Sequence, residues 1–420
     1  MDRAAEFECP LSSSCSVAVF LCFSFQLRSM PHKVSSCLKV AMLVVDSNEV
    51  SRYIQRDETR LSPVLHNAVH SLLDGLKDRD DIEIEVVYGR NHAREGEARR
   101  EGCLHFVPVP YKTLPIPGIG GPYLGRTLAL LRYLRKSKPD LIHAQGTERE
   151  SGLVAALAGF PSILTLHGNI TEIAKSMGAK PLSYFGLASR LERFALGRVS
   201  GVHCISKHTQ TSVAGRARRT WVIPNAVSPR YVDVTRQVSD VPRVVCMSGI
   251  SEWKNPILLV RASDALHAEF PQSEVHFHGA CDGNHTYGRA FLDALKTRPW
   301  CISHGKSSPG ELVNALSRAT CAVLPSTQEN FGLALAEAMA AGVPCIGSNA
   351  GGIPDVITHG KTGLFFLSGN EAELADCLLE IHRNPERASV LALAGKREAL
   401  QRFTEKSVAE AHVRMYEDLF

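Results

Sequence analysis

The sequence predicts two doubly wound α/β domains in tandem, each a parallel sheet with helices on both faces. Three observations lead to this prediction. The chain has 420 residues, more than one hydrophobic core usually serves. From Lys39 onward, short apolar runs alternate with helical patterns. A turn-rich stretch at residues 225–242 divides this alternation into halves, and we expect the two domains to face a central cleft.

The composition is that of a globular protein with enough apolar material for two cores. Hydrophobic residues make up 44% of the chain and charged residues 21%. A formal net charge of +4 is small for this length, so it gives no support to a nucleic-acid binder. The twelve cysteines are scattered without paired ligand spacing, which suits a reducing cytosol. We therefore expect a cytoplasmic protein that does not bind nucleic acid.

Residues 1–38 are expected to form a poorly ordered extension outside the fold. Their apolar stretch at residues 16–27 resembles a signal peptide, which is the alternative. The segment before it carries Asp2 and Glu6 as well as Arg3, and the stretch is too short to span a bilayer. A start of translation at Met30 is a further possibility that the sequence leaves open.

The first domain is expected over residues 39–228. A helix is predicted where Leu128, Leu131 and Leu134 recur at helical spacing among basic residues. Its cationic face is interpreted as solvated, and contact with a membrane surface is the alternative. The predicted strands are residues 40–45, 82–87, 104–109, 141–144, 163–167, 202–205 and 221–223.

A linker over residues 229–242 leads to the second domain, expected over residues 243–402. The final segment, residues 403–420, has apolar residues at helical spacing from Val408 to Leu419. Packing of this helix back on the first domain is one arrangement that the pattern allows. The predicted strands of the second domain are residues 244–247, 275–278, 321–324, 344–347 and 364–366.

The segment from residue 324 to residue 344 is the most informative for function. It leaves a strand and opens a helix, because residues 333–341 are strong helix formers and Gly342 and Pro344 end the run. Backbone N–H groups at the start of this helix, with its dipole, would bind a diphosphate without a metal. The residues expected to bind in this way are Asn330, Phe331, Gly332 and Leu333.

Two acids accompany this helix. Glu337 is the only ionisable side chain within an apolar run, and a buried carboxylate is costly unless hydroxyls or cations satisfy it. Ribose hydroxyls would do so. Glu329 lies just ahead of the helix, where its carboxylate can accept hydrogen bonds from sugar hydroxyls. The alternative is structural, with Glu337 in an ordinary salt bridge and Glu329 placed near the positive end of the helix dipole.

This segment resembles family 4 of the retaining glycosyltransferases, whose GT-B architecture has two Rossmann-like domains. Residues 349–357 and 360–364 also match, and a weaker resemblance covers residues 39–420. The resemblance implies transfer of a hexosyl-type sugar from a nucleotide-diphosphate donor to a glycan, lipid or small-molecule acceptor. It assigns the donor sugar to Glu329 and the ribose to Glu337. It implies no cofactor, and no cluster with metal-ligand spacing is evident, so no metal is predicted.

A second match lies at residues 247–256, after the first strand of the second domain. Here the family binds the donor diphosphate with an arginine and a lysine, so the resemblance assigns this task to Lys254. Ser248 and Gly249 stand where glycine and arginine are usual. Gly249 is therefore a predicted donor-binding position that lacks the positive charge of the family's arginine. A merely solvated lysine is the alternative for Lys254.

In the first domain, His167 and Gly168 end a predicted strand and resemble the family's His-Gly element. This implies that His167 positions the donor sugar and stabilises developing positive charge through its backbone carbonyl, without transferring a proton. A satisfied histidine at a strand end is the alternative. Residues 46–50 lack the glycine pair that the family has after its first strand, so the acceptor side is poorly specified.

The sequence thus predicts a retaining, metal-independent glycosyltransferase with a nucleotide sugar and an unidentified acceptor as partners. The absent arginine and glycine pair motivate an alternative of another class, a nucleotide-sugar binding or regulatory protein of the same fold. A third hypothesis, an isomerase of nucleotide sugars, needs acid and base residues that the sequence does not reveal.

Overall fold

The computed structural model describes residues 37–44, 50, 53, 68–91, 98–114, 120–181, 183–237 and 241–420. Nearly all of the expected N-terminal extension and the segment that lacks the glycine pair lie outside these residues. The described residues belong to one compact unit, residues 35–420. None of the helices in these ranges combines the length and the apolar composition needed to cross a bilayer.

The first half of the chain forms a sheet flanked by helices. Its strands are β1 (Leu38–Leu43), β2 (Ile82–Asn91), β3 (Arg99–Glu101), β4 (Leu104–Tyr111), β5 (Leu141–Gln145), β6 (Ser162–Leu166), β7 (Gly201–Cys204) and β8 (Thr220–Val222). Its helices are α1 (Ala68–Leu76), α2 (Gly120–Ser137), α3 (Ser151–Leu157), α4 (Ile170–Ser176), α5 (Tyr184–Leu196) and α6 (Lys207–Ser212). The strand order is β3-β4-β2-β1-β5-β6-β7-β8, and only β3 with β4 pairs antiparallel in this described part.

The second half repeats the architecture with a parallel sheet. Its strands are β9 (Arg243–Cys246), β10 (Glu274–His278), β11 (Cys301–Gly305), β12 (Cys321–Leu324), β13 (Cys345–Ser348) and β14 (Leu364–Phe366). Its helices are α7 (Pro229–Val232), α8 (Pro256–Glu269), α9 (Thr286–Leu295), α10 (Pro309–Arg318), α11 (Leu333–Ala340), α12 (Ile353–Val356), α13 (Glu371–Arg383), α14 (Pro385–Arg402) and α15 (Glu405–Glu417). The strand order is β11-β10-β9-β12-β13-β14.

Burial explains why short apolar runs form the centres of these sheets. Every residue of β5, β6, β7, β12 and β13 is buried. Strands covered by helices on both faces need apolar side chains on both faces. Their sequences are therefore continuously apolar and do not alternate between apolar and polar residues. The two-domain doubly wound α/β prediction is therefore confirmed.

The last helix, α15, packs on the first sheet. Its Val413 and Tyr416 belong to the same buried core as Val40 and Phe106. The hydroxyl of Tyr416 also lies 2.8 Å from Nδ1 of the buried His143 on β5. The chain therefore returns to its first half after completing the second.

Two strands differ from the sequence prediction because they lie at sheet edges. β3 has the sequence Arg-Arg-Glu, which carries no apolar pattern, and its pairing with β4 is antiparallel. β11 is the outer strand of the second sheet, and the residues after its buried Cys301 are half-buried or exposed. Edge strands need only one neighbour, so their side chains carry a weaker signal.

The stretch expected to be a linker contains α7, and its Tyr231 and Val234 are buried in one cluster with Leu335. One further prediction needs correction. In α2, Leu131 and Leu134 are buried as expected, but Leu128 is 42% exposed, so it does not continue the buried stripe.

Candidate functional site

The second sheet changes direction between β9 and β12. From β9 the chain proceeds through β10 to β11 at one edge, and from β12 through β13 to β14 at the other. In open parallel sheets, ligands bind in the crevice beyond the carboxyl ends of the strands where the order reverses. The loops that leave β9 and β12 are therefore the expected site, and they carry Lys254 and Glu329.

These two loops are joined by an ion pair and by backbone contacts. Nζ of Lys254 donates to the carboxylate of Glu329, and their side chains are 33% and 13% exposed. The carbonyl oxygen of Trp253 accepts a hydrogen bond from the backbone N–H of Thr327 at 2.8 Å. A cation and an acid are thus held side by side at the switch point.

The loop before α11 has its shape because three glycines allow it. Gly332 has φ +98°, a left-handed conformation that side chains disfavour. A Cβ atom on Gly351 would lie 1.9 Å from the carbonyl oxygen of Glu329, and one on Gly352 would lie 2.2 Å from that of Asn330. The N–H of Gly352 donates to the carbonyl of Glu329 at 2.8 Å. The matched segment after β13 therefore positions the backbone that carries Glu329.

The start of α11 offers unused donors. No acceptor among the described residues reaches the N–H groups of residues 330–333. Unpaired N–H groups at the first turn, with the helix dipole, attract an anion. Phe331 contributes only its backbone, because its buried ring packs edge-on against Phe403 at 5.6 Å. Asn330 and Leu333 are half-buried.

Glu337 lies on α11 and is half-buried at its surface. It forms no ion pair with any described residue, so the salt bridge of the structural alternative is not observed. Desolvation by the surrounding protein raises the pKa of its carboxyl to about 8, although Arg230 of α7 opposes the shift. At neutral pH the acid is therefore mainly protonated in the absence of a ligand.

His167 follows β6 in the first half. Its Nε2 lies 2.9 Å from Oε1 of Gln145, the last residue of β5. An amide oxygen only accepts, so Nε2 carries the proton. Burial lowers the pKa of His167 to about 4, with a further contribution from His203. The ring is therefore neutral and oriented at physiological pH.

The structure brings together only part of the predicted site. Lys254, Glu329 and residues 330–333 lie at one switch point. Gly249 lies exposed on the same β9 loop, with no atom within 4 Å of a Cβ built there. His167 belongs to the other sheet, and no recorded contact among the described residues links it to Lys254 or Glu329.

Sequence reasoning missed two contributors. Gln145 ends β5 and orients His167. Arg230 lies on α7, far from Glu337 in the sequence, and no local sequence pattern indicates that the two side chains interact. The available signal for Gln145 was its position as a polar residue at the end of β5, next to the strand that leads to His167.

Comparison with protein families gives two adjoining matches. The model described as "Glycosyltransferase Family 4" matches residues 65–231. The model described as "Glycosyl transferases group 1" matches residues 229–398. The second match contains Lys254, Glu329 and Glu337.

Two curated relatives show how far the similarity extends. D-inositol 3-phosphate glycosyltransferase of Arthrobacter sp. (strain FB24) is 30% identical over 318 residues, 67% of this chain and 72% of the relative. Sulfoquinovosyl transferase SQD2 of Arabidopsis thaliana is 26% identical over 318 residues, 71% of this chain. The chain spans 57% of the length of the Arabidopsis protein.

Solved structures share the fold at low sequence identity. Sucrose-phosphate synthase of Thermosynechococcus elongatus superposes with a TM-score of 0.71 at 18% identity, covering 91% of this chain and 99% of that one. Anabaena Alr3699/HepE in complex with UDP-glucose has a TM-score of 0.63 at 20% identity, covering 91% and 100%. At these identities the likeness concerns the fold.

The raised pKa of Glu337 predicts a pH-dependent stability difference for the Glu337→Gln variant. Between the ordinary value of 4.5 and the folded value of about 8, the unfolded chain loses this proton and the folded chain keeps it. The stability of the wild-type protein therefore falls across this window. Because glutamine does not titrate, the variant should gain relative stability as pH rises, at most roughly 1.4 kcal/mol per unit.

Urea unfolding followed by circular dichroism at several pH values measures this difference. Glu417→Gln, at an exposed position on α15, is the matched control and should track the wild-type protein. A difference between Glu337→Gln and the wild-type protein that is independent of pH would contradict the assigned protonation.

Proposed function

The chain belongs to the group 1, family 4 glycosyltransferases, and from that premise we propose that it transfers a hexosyl-type sugar from a nucleotide-diphosphate donor with retention of anomeric configuration. The observation that carries the proposal is the Lys254–Glu329 pair beside the unused N–H groups of residues 330–333. The cation and the start of the helix suit the diphosphate of such a donor, and the carboxylate suits the hydroxyls of its sugar.

The diphosphate is proposed to lie against the start of α11. Its negative charge would receive hydrogen bonds from residues 330–333, and the ammonium of Lys254 would bind it as a point charge. These groups stabilise charge that grows on the leaving diphosphate in the transition state. The left-handed Gly332 leaves the backbone there without a side chain in the way.

The two acids are proposed to bind the hydroxyls of the donor. Glu329 lies beside Lys254 and would accept hydrogen bonds from the sugar. Glu337, farther along α11, would bind the ribose. The ribose hydroxyls would satisfy its half-buried carboxyl, which forms no ion pair with the described residues. Binding that favours the carboxylate form would release a proton below a pH of about 8.

The reaction proposed for this site needs no protein nucleophile. The bond from the anomeric carbon to the diphosphate oxygen breaks, and a bond from the same carbon to the acceptor oxygen forms on the same face. The acceptor's proton passes to the departing phosphate oxygen. His167, neutral and held by Gln145, would position the sugar and place its backbone carbonyl near the developing positive charge.

The proposal assigns no metal and no cofactor to the transfer. Lys254 and the dipole of α11 supply positive charge at the place where a metal would otherwise neutralise the diphosphate. A nucleotide sugar as partner is supported by the fold neighbour whose structure contains UDP-glucose. The acceptor is a glycan, a lipid or a small molecule.

Location in the cytoplasm is part of the proposal, and contact of α2 with a membrane stays a prediction. Leu124 and Leu128 are 41% and 42% exposed one helical turn apart, and Arg132 and Arg135 are exposed nearby. Scattered exposed leucines are also normal on solvated surfaces. Co-sedimentation with vesicles that contain anionic lipid is the direct test.

Incubation with a panel of nucleoside-diphosphate sugars and acceptors in EDTA tests the function. We expect a new glycoside with the donor's anomeric configuration, identified by mass spectrometry and NMR. Binding of a donor without product would support the regulatory alternative, and conversion of the free donor would support the isomerase. A product that forms only after a divalent metal is added would contradict the metal-free site.

Replacing Glu337 by alanine should weaken donor binding and leave the fold intact. Loss of a charged hydrogen bond to the ribose corresponds to an affinity roughly 10- to 100-fold lower. Calorimetry with the donor that stabilises the wild-type protein most would measure the change. Proton release, from titrations in buffers of different ionisation enthalpy, should disappear in Glu337→Gln. Unchanged affinity in the alanine variant would exclude the ribose contact.

The missing arginine favours one second candidate, a nucleotide-sugar binding protein with impaired turnover. Gly249 offers a test because a Cβ there meets no atom within 4 Å and its φ is not in the left-handed region. Gly249→Arg should therefore fold and restore a cation at the diphosphate. We expect donor affinity or turnover to rise roughly tenfold.

Gly310→Arg is the matched control, since that glycine is exposed on α10 with equally open space. It adds the same charge to the same half of the chain. An equal effect of both substitutions would mean that net charge, and not a specific contact at Gly249, is responsible. Donor binding by Gly249→Arg without product would support the regulatory candidate.

A further inference from the structure

Three histidines converge on one face of the edge of the second sheet. His276 and His278 are two positions apart on β10, so their side chains lie on the same face of the sheet. His304 lies on the adjacent β11. One ring nitrogen of each lies within 4.8 Å of the others. The rings of His278 and His304 are stacked at 4.3 Å with an interplanar angle of 3°. The proposed transfer reaction uses none of these residues.

The hydrogen bonds around these rings turn three nitrogens toward one another. Nε2 of His276 lies 3.1 Å from the carboxylate of Glu274, and its Nδ1 shares a hydrogen bond of 2.9 Å with Nε2 of His304, which a metal ion would replace. Nδ1 of His278 lies 2.8 Å from the hydroxyl of Ser307, so its Nε2 is the nitrogen left for a ligand. Histidines that bind metals are commonly held in this way, with the other ring nitrogen bonded to a carboxylate or similar partner.

The carboxylate that orients His276 is itself held in place. Arg243 pairs with Glu274 at 2.9 Å and so helps to hold the carboxylate that orients His276.

An ion from solvent can reach this cluster. His304 is exposed and His276 keeps 16% of its side-chain surface, whereas His278 forms the buried side. Three imidazoles on one side and solvent on the other provide three ligands and an open fourth position. Nitrogen ligands of this kind favour zinc and its neighbours in the transition series over magnesium or calcium.

We propose that His276, His278 and His304 bind one divalent transition-metal ion of the zinc class, with solvent as the fourth ligand. Binding requires the exposed His304 ring to turn out of its parallel stack on His278, because the lone pairs of parallel rings do not converge on one ion. The site is distinct from the donor site, and the proposed transfer remains free of metal chemistry.

The position of this site suggests what the ion does. Gly279, next to His278, packs so closely on the β9 loop that a Cβ there would lie 1.9 Å from the carbonyl oxygen of Ser248. The N–H of Ile250 also donates to the carbonyl of Ala280 at 2.9 Å. A metal that clamps the ends of β10 and β11 therefore stiffens the support of the loop that carries Gly249 and Lys254.

The other histidine triad, His143, His203 and His412, serves as a contrast. Its members are fully buried between the first sheet and α15. Both ring nitrogens of His143 are hydrogen-bonded, to Tyr416 and Thr165, and those of His203 to Thr165 and the carbonyl of Ile223. Nδ1 of His412 is bonded to the carbonyl of Val408, and this triad, unlike the cluster on β10 and β11, has no side open to solvent. Proximity alone therefore does not make a metal site.

Zinc binding by the untagged full-length chain tests the proposal. The protein is stripped with EDTA, kept reduced with a phosphine that protects its thiols, and titrated with Zn²⁺ against a chromophoric chelator. We expect one ion per chain, and visible Co²⁺ bands typical of tetrahedral nitrogen ligation. His304→Ala, at an exposed position, should lower the affinity at least about 100-fold, and Glu274→Gln about tenfold.

His208→Ala is the matched control, because His208 is exposed on α6, away from the cluster, and should leave zinc affinity unchanged. Circular dichroism in EDTA establishes that each variant is folded. Saturating zinc should raise the melting temperature of the wild-type protein but not of His304→Ala. Equal affinity in His304→Ala and the wild-type protein, or no zinc bound by the wild-type protein, would overturn the proposal.

Discussion

The ion pair of Lys254 with Glu329 is the constraint on which the loops at the switch point of the second sheet depend. It joins the loops after β9 and β12, the two adjacent strands at which the second sheet reverses direction. A partly exposed pair of this kind contributes little to stability by itself. Its importance is positional, because the less exposed Glu329 would lose its charge partner if Lys254 were absent. The glycines at 351 and 352 fix the same loop from the other side.

The fold could be predicted from the sequence because central parallel strands carry apolar side chains on both faces. The predicted run at residues 321–324 coincides with the central strand β12, and the run at residues 364–366 with the edge strand β14, whose Leu364 and Phe366 are buried. The family resemblance, based on the segment around Glu329 and Glu337, is likewise confirmed by the family matches. Edge strands such as β11 have only one neighbour and carry polar residues, and for this reason β11 was missed. Packing of Tyr231 in the second core depends on tertiary contacts that no local pattern contains.

One part of the candidate site could be predicted because its residues are close in sequence, whereas Lys254 and His167 were predicted only through the family resemblance. Glu329, residues 330–333 and Glu337 fall within one strand-loop-helix segment, so their proximity follows from local structure. Contacts across the fold were out of reach: Arg230 acts on Glu337 from another helix, and Gly351 shapes the Glu329 loop from beyond the next strand. The histidines on β10 and β11 were missed for the same reason, since parallel strands place distant residues side by side.

The ion pair also couples the two tasks proposed for its members. In the ligand-free chain the ammonium of Lys254 is engaged by Glu329, so neither charge is fully available to a donor. A diphosphate at the start of α11 would draw Lys254 toward its oxygens, because a phosphate competes well with a carboxylate for an ammonium group. Glu329 would then be released to accept hydrogen bonds from the sugar attached to that diphosphate. With glycine at 249, this exchange of partners and the backbone N–H groups of residues 330–333 would together replace the second cation of the proposed site. The loops at the switch point would therefore recognise phosphate and sugar as one unit and not as two separate ligands.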